Sequence, residues 1–307
     1  MQELEHFEGF NEQIFKVYDE RNLKNLSQVK FEEETSTAFL SNVLRRKVNI
    51  YPLPYSDFKI HDELDFITKD IKYVIGVLYF LKPFIIDTDY SQGTYRQNLE
   101  DRRYLMYANF GLQSIYNFWD RIGDILHLYF ETGLSLENVY LGRVLNNIKP
   151  AHKAKPEYQT LNNIYETHLK TFFNERNVTV HHFQLECQFY WGFIEASRDL
   201  EKQAELNERK HNLPLLFENL LNLCFEGFKA ALDLINTLPD KTNILIRKKE
   251  HLEDGRYFIS ELKLISDEED ILNLINPLTG YNDEEIKAIL AEGLSVNPEM
   301  IFLIEVI

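Results

Sequence analysis

Arg176, Asn177 and His181 form an Arg-Asn-x-x-x-His pattern. A guanidinium stays cationic at physiological pH and can grip a phosphate through two parallel N–H groups. An imidazole, with an ordinary pKa of ~6.5, takes up and releases protons near neutrality. The pair suits cleavage of a phosphodiester by its own neighbouring hydroxyl, with the imidazole moving protons and the guanidinium stabilising charge on phosphorus, without a metal. Asn177 would orient one of them or the backbone, and His182 stands beside them as an accessory or as the alternative base. The bare spacing is common by chance, and the adjacent asparagine makes it far more selective. On a continuous helix five residues turn through ~500°, leaving Arg176 and His181 about 140° apart. They converge only if the helix breaks between them or a second chain completes the site. Val178, Thr179 and Val180 are poor helix formers and supply a reason for a break.

The elements that must position this pattern read as helices. Tyr158 to Glu175 has helical spacing and leads directly into Arg176. The clearest segment runs from Asn98 to Glu131, with Gly133 in the place of a helix C′ residue. Ile115, Phe118, Trp119, Ile122, Ile125, Leu126 and Tyr129 share its apolar side, while Asn117, Asp120, Arg121 and Asp124 share a polar one. Asp120, Arg121 and Asp124 read either as a solvated helix face or as groups that support Arg176 and His181 across a groove. Arg121 and His127 sit mid-helix and point about 120° apart, a poorer pair than Arg176 with His181. Asp62 to Leu81 predicts a buried helix ended by Lys82-Pro83, and Leu213 to Leu238 another, stopped by Pro239. Ser135 to Ile148 predicts a shorter helix capped by Ser135 and terminated at Lys149-Pro150. Between Leu141 and Pro156 lie Arg143, Lys149, His152, Lys153 and Lys155 and no acid, which predicts a loop facing an anion. Residues 1–60 form an N-terminal region with a helix near Phe10 to Glu20, residues 61–238 a helical body, and residues 239–307 a small α+β lobe. In that lobe Ile244 to Lys248 and Tyr257 to Ile265 alternate as strands, and a capped helix starts at Asn282.

Composition narrows the classes. The chain has 33 basic and 49 acidic residues, a net charge of −16, so nucleic acid would have to be met by a locally basic surface. Only 12 Gly and 9 Pro argue for long helices over a many-stranded sandwich. Cys187 and Cys224 form no metal or disulfide pattern and read as core or flank residues of a cytoplasmic protein. No membrane span is expected, because the longest apolar stretch carries Lys82 and Pro83. No cofactor or metal is expected. Pro239-Asp240 with Glu261-Leu262-Lys263 sketches a magnesium nuclease, but too little chain remains to build its core. Ser266 to Asp270 reads as a capping box.

Arg176-Asn177-x-x-x-His181 at a helix end resembles the R-x4-H signature of the HEPN superfamily, and the helix carrying Asn117 to Asp124 resembles the one that faces it. The resemblance spans roughly residues 99–238. It implies a mainly α, HEPN-like helical bundle, here with a small C-terminal α+β lobe, that dimerises and brings two motifs together as a metal-independent endoribonuclease. RNA, held by Arg143, Lys149, Lys153 and Lys155, and a second copy of the chain are then the implied partners. Many such proteins are toxins or antiviral effectors, which adds an antitoxin or regulatory protein as a partner; others are non-catalytic scaffolds that bind nucleotide, RNA or protein. Some members extend the motif with a tyrosine that a nucleotidyltransferase modifies; here Phe183 stands at that position, so that regulation is not expected.

Overall fold

Apolar residues recurring every three or four positions build most of the chain into helices. The computed structural model describes residues 2–50, 57–88, 97–173, 184–253, 257–265, 278–280, 282–294 and 297–305. One compact unit, Met1–Leu44 with Asn49–Ile235, begins with α1 (Gln2–Glu20), the two-residue strands β1 (Lys30–Phe31) and β2 (Glu34–Thr35), and α2 (Ser36–Arg46). It continues through α3 (Asp57–Leu81), α4 (Leu99–Tyr129), α5 (Leu141–Asn147), α6 (Pro150–Lys153) and α7 (Pro156–Ile164). Then follow α8 (Leu185–Glu195), α9 (Leu200–His211) and α10 (Leu213–Asn236).

The second unit, Arg45–Val48 with Asn236–Ile307, holds β3 (Thr242–His251), β4 (Tyr257–Ile265), β5 (Leu278–Gly280), α11 (Asp283–Leu294) and β6 (Ile301–Glu305). Its sheet runs β5-β4-β3-β6, with β4 antiparallel and β6 parallel to β3. Asn282 caps α11 by accepting from the Glu285 amide at 2.9 Å. Ile286, Leu290 and Ala291 of α11 are buried, as is Ile301. The protein is therefore mainly α with a small C-terminal strand region, as its sequence pattern implies.

Helix α4 is the spine of the first unit. Asn98 accepts from the Asp101 amide at 2.6 Å, and the Asp101 carboxylate accepts from the Asn98 amide at 3.1 Å. Two of the orphan donors at the helix start are thus satisfied reciprocally. Every member of the predicted apolar face, from Ile115 to Tyr129, is buried. Helix α10 crosses α4 where Gly227 meets Trp119: a Cβ at Gly227 would lie 2.0 Å from the indole ring. Cys224, one turn away, is buried, and burial holds its thiol well above the ordinary range against the opposing effect of the Trp119 N–H, so it is a core residue rather than a reactive one. The helix ends before Gly133. Phe130 is already extended and buried, so the glycine, at φ +68°, shapes the following turn and is not the C′ residue.

Two buried polar nodes hold neighbours to this spine. The Lys210 ammonium at the end of α9 lies 3.1 Å from Asp101, with both side chains 2% exposed. It also donates to the Ile86 carbonyl after α3, and the Tyr104 hydroxyl donates to the Lys210 carbonyl at 2.7 Å. The second node seats the N-terminal elements on α3. Ser36 Oγ donates to the Leu26 carbonyl at 2.8 Å and lies 2.8 Å from His61 Nε2, which makes that ring nitrogen the donor. Asp65 accepts from the Asn25 side chain and the Ser27 amide, each at 2.7 Å. Burial lowers the His61 pKa, outweighing the pull of Asp65 and Asp62.

Lys210→Met strands the Asp101 carboxylate in the interior and is expected to cost ~3–5 kcal/mol, read by urea unfolding. Pairing it with Asp101→Leu should recover much of that loss, because no uncompensated charge remains. For His61, whose folded pKa is depressed, the unfolded chain protonates first as pH drops below ~6.5, so stability falls there. His127 and His152, also lowered by burial, act with the same sign. His61→Gln should flatten the decline in Tm between about pH 7.5 and 5.5.

Candidate functional site

The polar stripe of α4 divides into two parts. Arg121 donates to Asp124 at 2.6 Å and to Glu63 of α3 at 3.2 Å, clamping the two helices near one end. At the other end Tyr73 packs edge-on against Tyr107, with ring centres 6.2 Å apart, which makes α3 and α4 antiparallel. Burial raises the Asp124 pKa despite Arg121. Burial works against the Arg121 charge, but hydrogen bonds to Asp124 and Glu63 outweigh it and raise the Arg121 pKa. Asn117 accepts from Gln113 at 2.6 Å. Asp120 lies about 100° from Arg121 and about 40° from Asp124 on the wheel.

A different face of α4 receives the chain on both sides of the Arg-Asn-x-x-x-His pattern. On entry, Phe173 packs against Tyr116, ring centres 5.5 Å apart and steeply inclined. On exit, the Leu185 amide donates to Asn109 Oδ1 at 3.1 Å. Arg176, Asn177, His181, His182 and Phe183 lie outside the described residues. Asn109 and Tyr116 are seven residues apart, so they share a face about 10 Å along the helix. The next residue in that column, Gly123, receives α5: a Cβ there would lie 2.7 Å from the Leu141 backbone nitrogen. Asp120 falls within about 40° of Tyr116 on this same face, between Tyr116 and Gly123.

The approach to the pattern is helical, but not as one regular α-helix. After α7 the chain makes a π turn over Tyr165–Leu169 before continuing to Phe173. Tyr165 presses its hydroxyl onto α5 at Gly142, where a Cβ would lie 2.1 Å from that oxygen. Its ring also lies 6.1 Å from Phe173. A widened turn of this kind shifts the phase of everything after it, and such turns recur at functional sites.

The basic stretch is a correction to the sequence reading. Residues 141–156 do not form a loop; they hold α5, α6 and the start of α7. Nor is Ser135 to Ile148 one helix: a 3-10 turn at Leu136–Asn138 precedes α5, and Val139 and Tyr140 are extended. Pro150 and Pro156 open helices rather than ending one, since a proline at the first helical position gives up no hydrogen bond. The cations have local partners. Arg143 bonds Asn138 and lies 5.0 Å over the Tyr140 ring, Lys149 pairs with Glu131, and Lys153 donates to the Asn146 carbonyl at 2.8 Å. His152 sets its ring edge-on to Phe130, and burial, then Lys155 and Lys149, lower its pKa.

A family model described as Cthe2314-like HEPN matches residues 61–236. The chain belongs to this HEPN family. No curated protein and no solved structure matches it. The HEPN match runs through α3 to the end of α10, so it contains the motif, the receiving face of α4 and the basic stretch, and it leaves out the strands of the second unit. HEPN proteins include ribonucleases and toxins. Among the described residues no group of three or more His, Cys, Asp or Glu could hold a metal ion. Asp240, one acid of the alternative magnesium pattern, is bonded by Lys47. No helix among the described residues is long and apolar enough to cross a membrane.

Sequence reading did not single out Asn109, Tyr116 or Gly123. Their signal is a seven-residue repeat of non-aliphatic residues in an otherwise apolar-patterned helix. The tightness of the α4–α5 approach is testable. Gly123→Ala is expected to destabilise by ~1–3 kcal/mol through overpacking, whereas Gly9→Ala in α1, where a Cβ meets nothing within 4 Å, should stabilise by ~0.5–1 kcal/mol through helix propensity alone. Chemical denaturation of the two variants beside the parent separates the effects.

Proposed function

We propose that this protein is a metal-independent HEPN endoribonuclease that works as a homodimer, with Arg176 and His181 of both copies at a shared cleft. The observation that carries the reading is that both flanks of the motif are fastened to one face of α4, at Tyr116 and Asn109, inside the matched HEPN range. Both flanks are thereby anchored to one rigid helix, the kind of support that a catalytic constellation needs.

The chemistry is transesterification. The RNA 2′-oxygen attacks the adjacent phosphorus while its proton passes to a basic nitrogen, and the P–O5′ bond breaks as a proton is delivered to the leaving oxygen. His181 performs the proton transfers, one from each copy, or with His182 in one of the two roles. Arg176 stabilises the extra negative charge on the phosphoryl oxygens. The products are a 2′,3′-cyclic phosphate and a 5′-hydroxyl. Asn177 and Asp120 orient these groups, Asp120 because it lies on the receiving face of α4. Arg121 and Asp124 support the site indirectly, by fixing α3 to α4 through Glu63. Arg143, Lys153 and Lys155 steer the RNA backbone on an otherwise acidic protein, with Lys149 contributing less because Glu131 neutralises it. A toxin or antiviral role, controlled by an antitoxin or regulatory protein, fits this activity.

Purified protein should cut single-stranded RNA in EDTA and leave cyclic phosphate ends. Arg176→Ala and His181→Ala should each lower the rate by at least ~100-fold with the Tm unchanged. Asp120→Ala should lower kcat at near-constant KM, whereas Arg121→Ala should act mainly on Tm. Undiminished cleavage by both motif variants removes the proposal, and RNA binding with no turnover leaves a non-catalytic HEPN scaffold in its place.

A further inference from the structure

A groove of about 510 Å³ lies between α1, the turn that follows it and α3. Its walls include Phe15, Tyr18, Asp19, Lys24, Gln28 and Lys72. All but Lys72 lie outside the family match. We propose that the groove binds a nucleoside phosphate, either free or as the 5′ end of an RNA chain, with Phe15 against the base and Lys24 and Lys72 on the phosphate.

Charge is the first argument. In a protein with a net charge of −16, Lys69 is matched to Asp65 and Lys229 to Glu32 and Asp233. Among the described residues, neither Lys24 nor Lys72 forms an ion pair, although Asp19 shares the groove. Lys72 is instead held in place by neutral groups: its ammonium lies 4.6 Å over the Tyr18 ring and donates to Gln28 Oε1 at 3.0 Å. That leaves two of its three N–H donors for an incoming anion. Burial lowers the Lys72 pKa and Asp19 pulls it back up, so an added anion would repay desolvation that the fold has already imposed.

A fixed cation is the second argument. The Gln28 side-chain oxygen accepts from the Asn25 backbone amide at 3.1 Å as well as from Lys72, so the ammonium is held on an oxygen that is itself tied down. Aromatic surface is the third. Phe15 is 60% exposed and is braced edge-on by Tyr18 at 5.8 Å. A braced, exposed ring beside two cations is the arrangement that stacks a base while its phosphate is neutralised. The volume is of the size that small-molecule sites use.

The test is isothermal titration of the full chain, as wild type and as Arg176→Ala, with AMP, GMP, ribose 5-phosphate and short RNAs bearing a 5′-phosphate or a 5′-hydroxyl. Mononucleotide should bind about tenfold or more tightly than ribose 5-phosphate, and Phe15→Ala should bring the two within ~2-fold. Lys24→Gln and Lys72→Gln should each weaken binding about tenfold. Phe15 and Lys24 are exposed, so their variants should keep the parent Tm. Stronger binding of 5′-phosphorylated RNA than of mononucleotide assigns the groove to RNA ends, and equal binding assigns it to free nucleotide. Equal affinities in wild type and Arg176→Ala separate this site from the proposed catalytic one. No binding up to about 5 mM nucleotide, or binding indifferent to Phe15→Ala and Lys24→Gln, overturns the inference.

Discussion

A buried ammonium facing a buried carboxylate sets the start of α4, and the rest of the first unit depends on where that helix starts. Asp101 does two jobs: it completes the reciprocal cap with Asn98, and it neutralises Lys210. Because each unpaired partner would be a bare charge in the interior, the end of α9 and the chain after α3 have little freedom relative to α4. A helix is rigid and its residues turn by ~100° each, so fixing the first turn fixes the bearing of every later side chain. The column at Asn109, Tyr116 and Gly123 is aimed by this constraint as much as by its own contacts.

Close approach then supplies what polar anchoring cannot. Gly227 lets α10 lie against Trp119, Gly123 lets α5 rest its backbone on α4, and Gly142 admits the Tyr165 hydroxyl. In each case the absent Cβ is replaced by a neighbour's atoms, so the elements around the motif are braced through backbone proximity. The π turn at Tyr165–Leu169 belongs to the same construction, because it begins at the residue that docks on Gly142 and leads to the Phe173–Tyr116 contact. Arg121, tied to Asp124 and Glu63, adds the brace from α3. Asp120, about 40° from Tyr116 on one side and from Asp124 on the other, lies between the receiving face and this brace.

The electrostatics of the molecule are organised by neutralisation. Much of its positive charge is matched to nearby acids, Lys149 to Glu131 and Lys170 to Glu166 among them. A basic stretch in the sequence is therefore not equivalent to a basic surface. Where cations are held by neutral groups instead, as Arg143 is by Asn138 and Tyr140 and Lys72 by Gln28 and Tyr18, positive potential survives and an anion can be attracted.

The helices were legible because burial imposes a period: the apolar residues of α3, α4 and α10 recur at the spacing of a helix face, and β3 and β4 alternate around Asp254-Gly255. The Arg-Asn-x-x-x-His pattern stands out in the sequence because the chemistry proposed for it needs specific side chains at a specific spacing. Helix ends were read less well. Gly133 is a sound stop signal by its own chemistry, but burial of Phe130 ended α4 sooner. Pro150 was read as a terminator because a proline cannot lie inside a helix, and the same property suits it to begin one. What residue order alone settled, then, is which side chains must be hidden and which could react, since both follow from the chemistry of single residues. Which polar groups on α4 face the motif's flanks and which face α3, and which lysines keep their charge uncompensated, were decided only by packing, because those depend on distances between residues far apart in the chain.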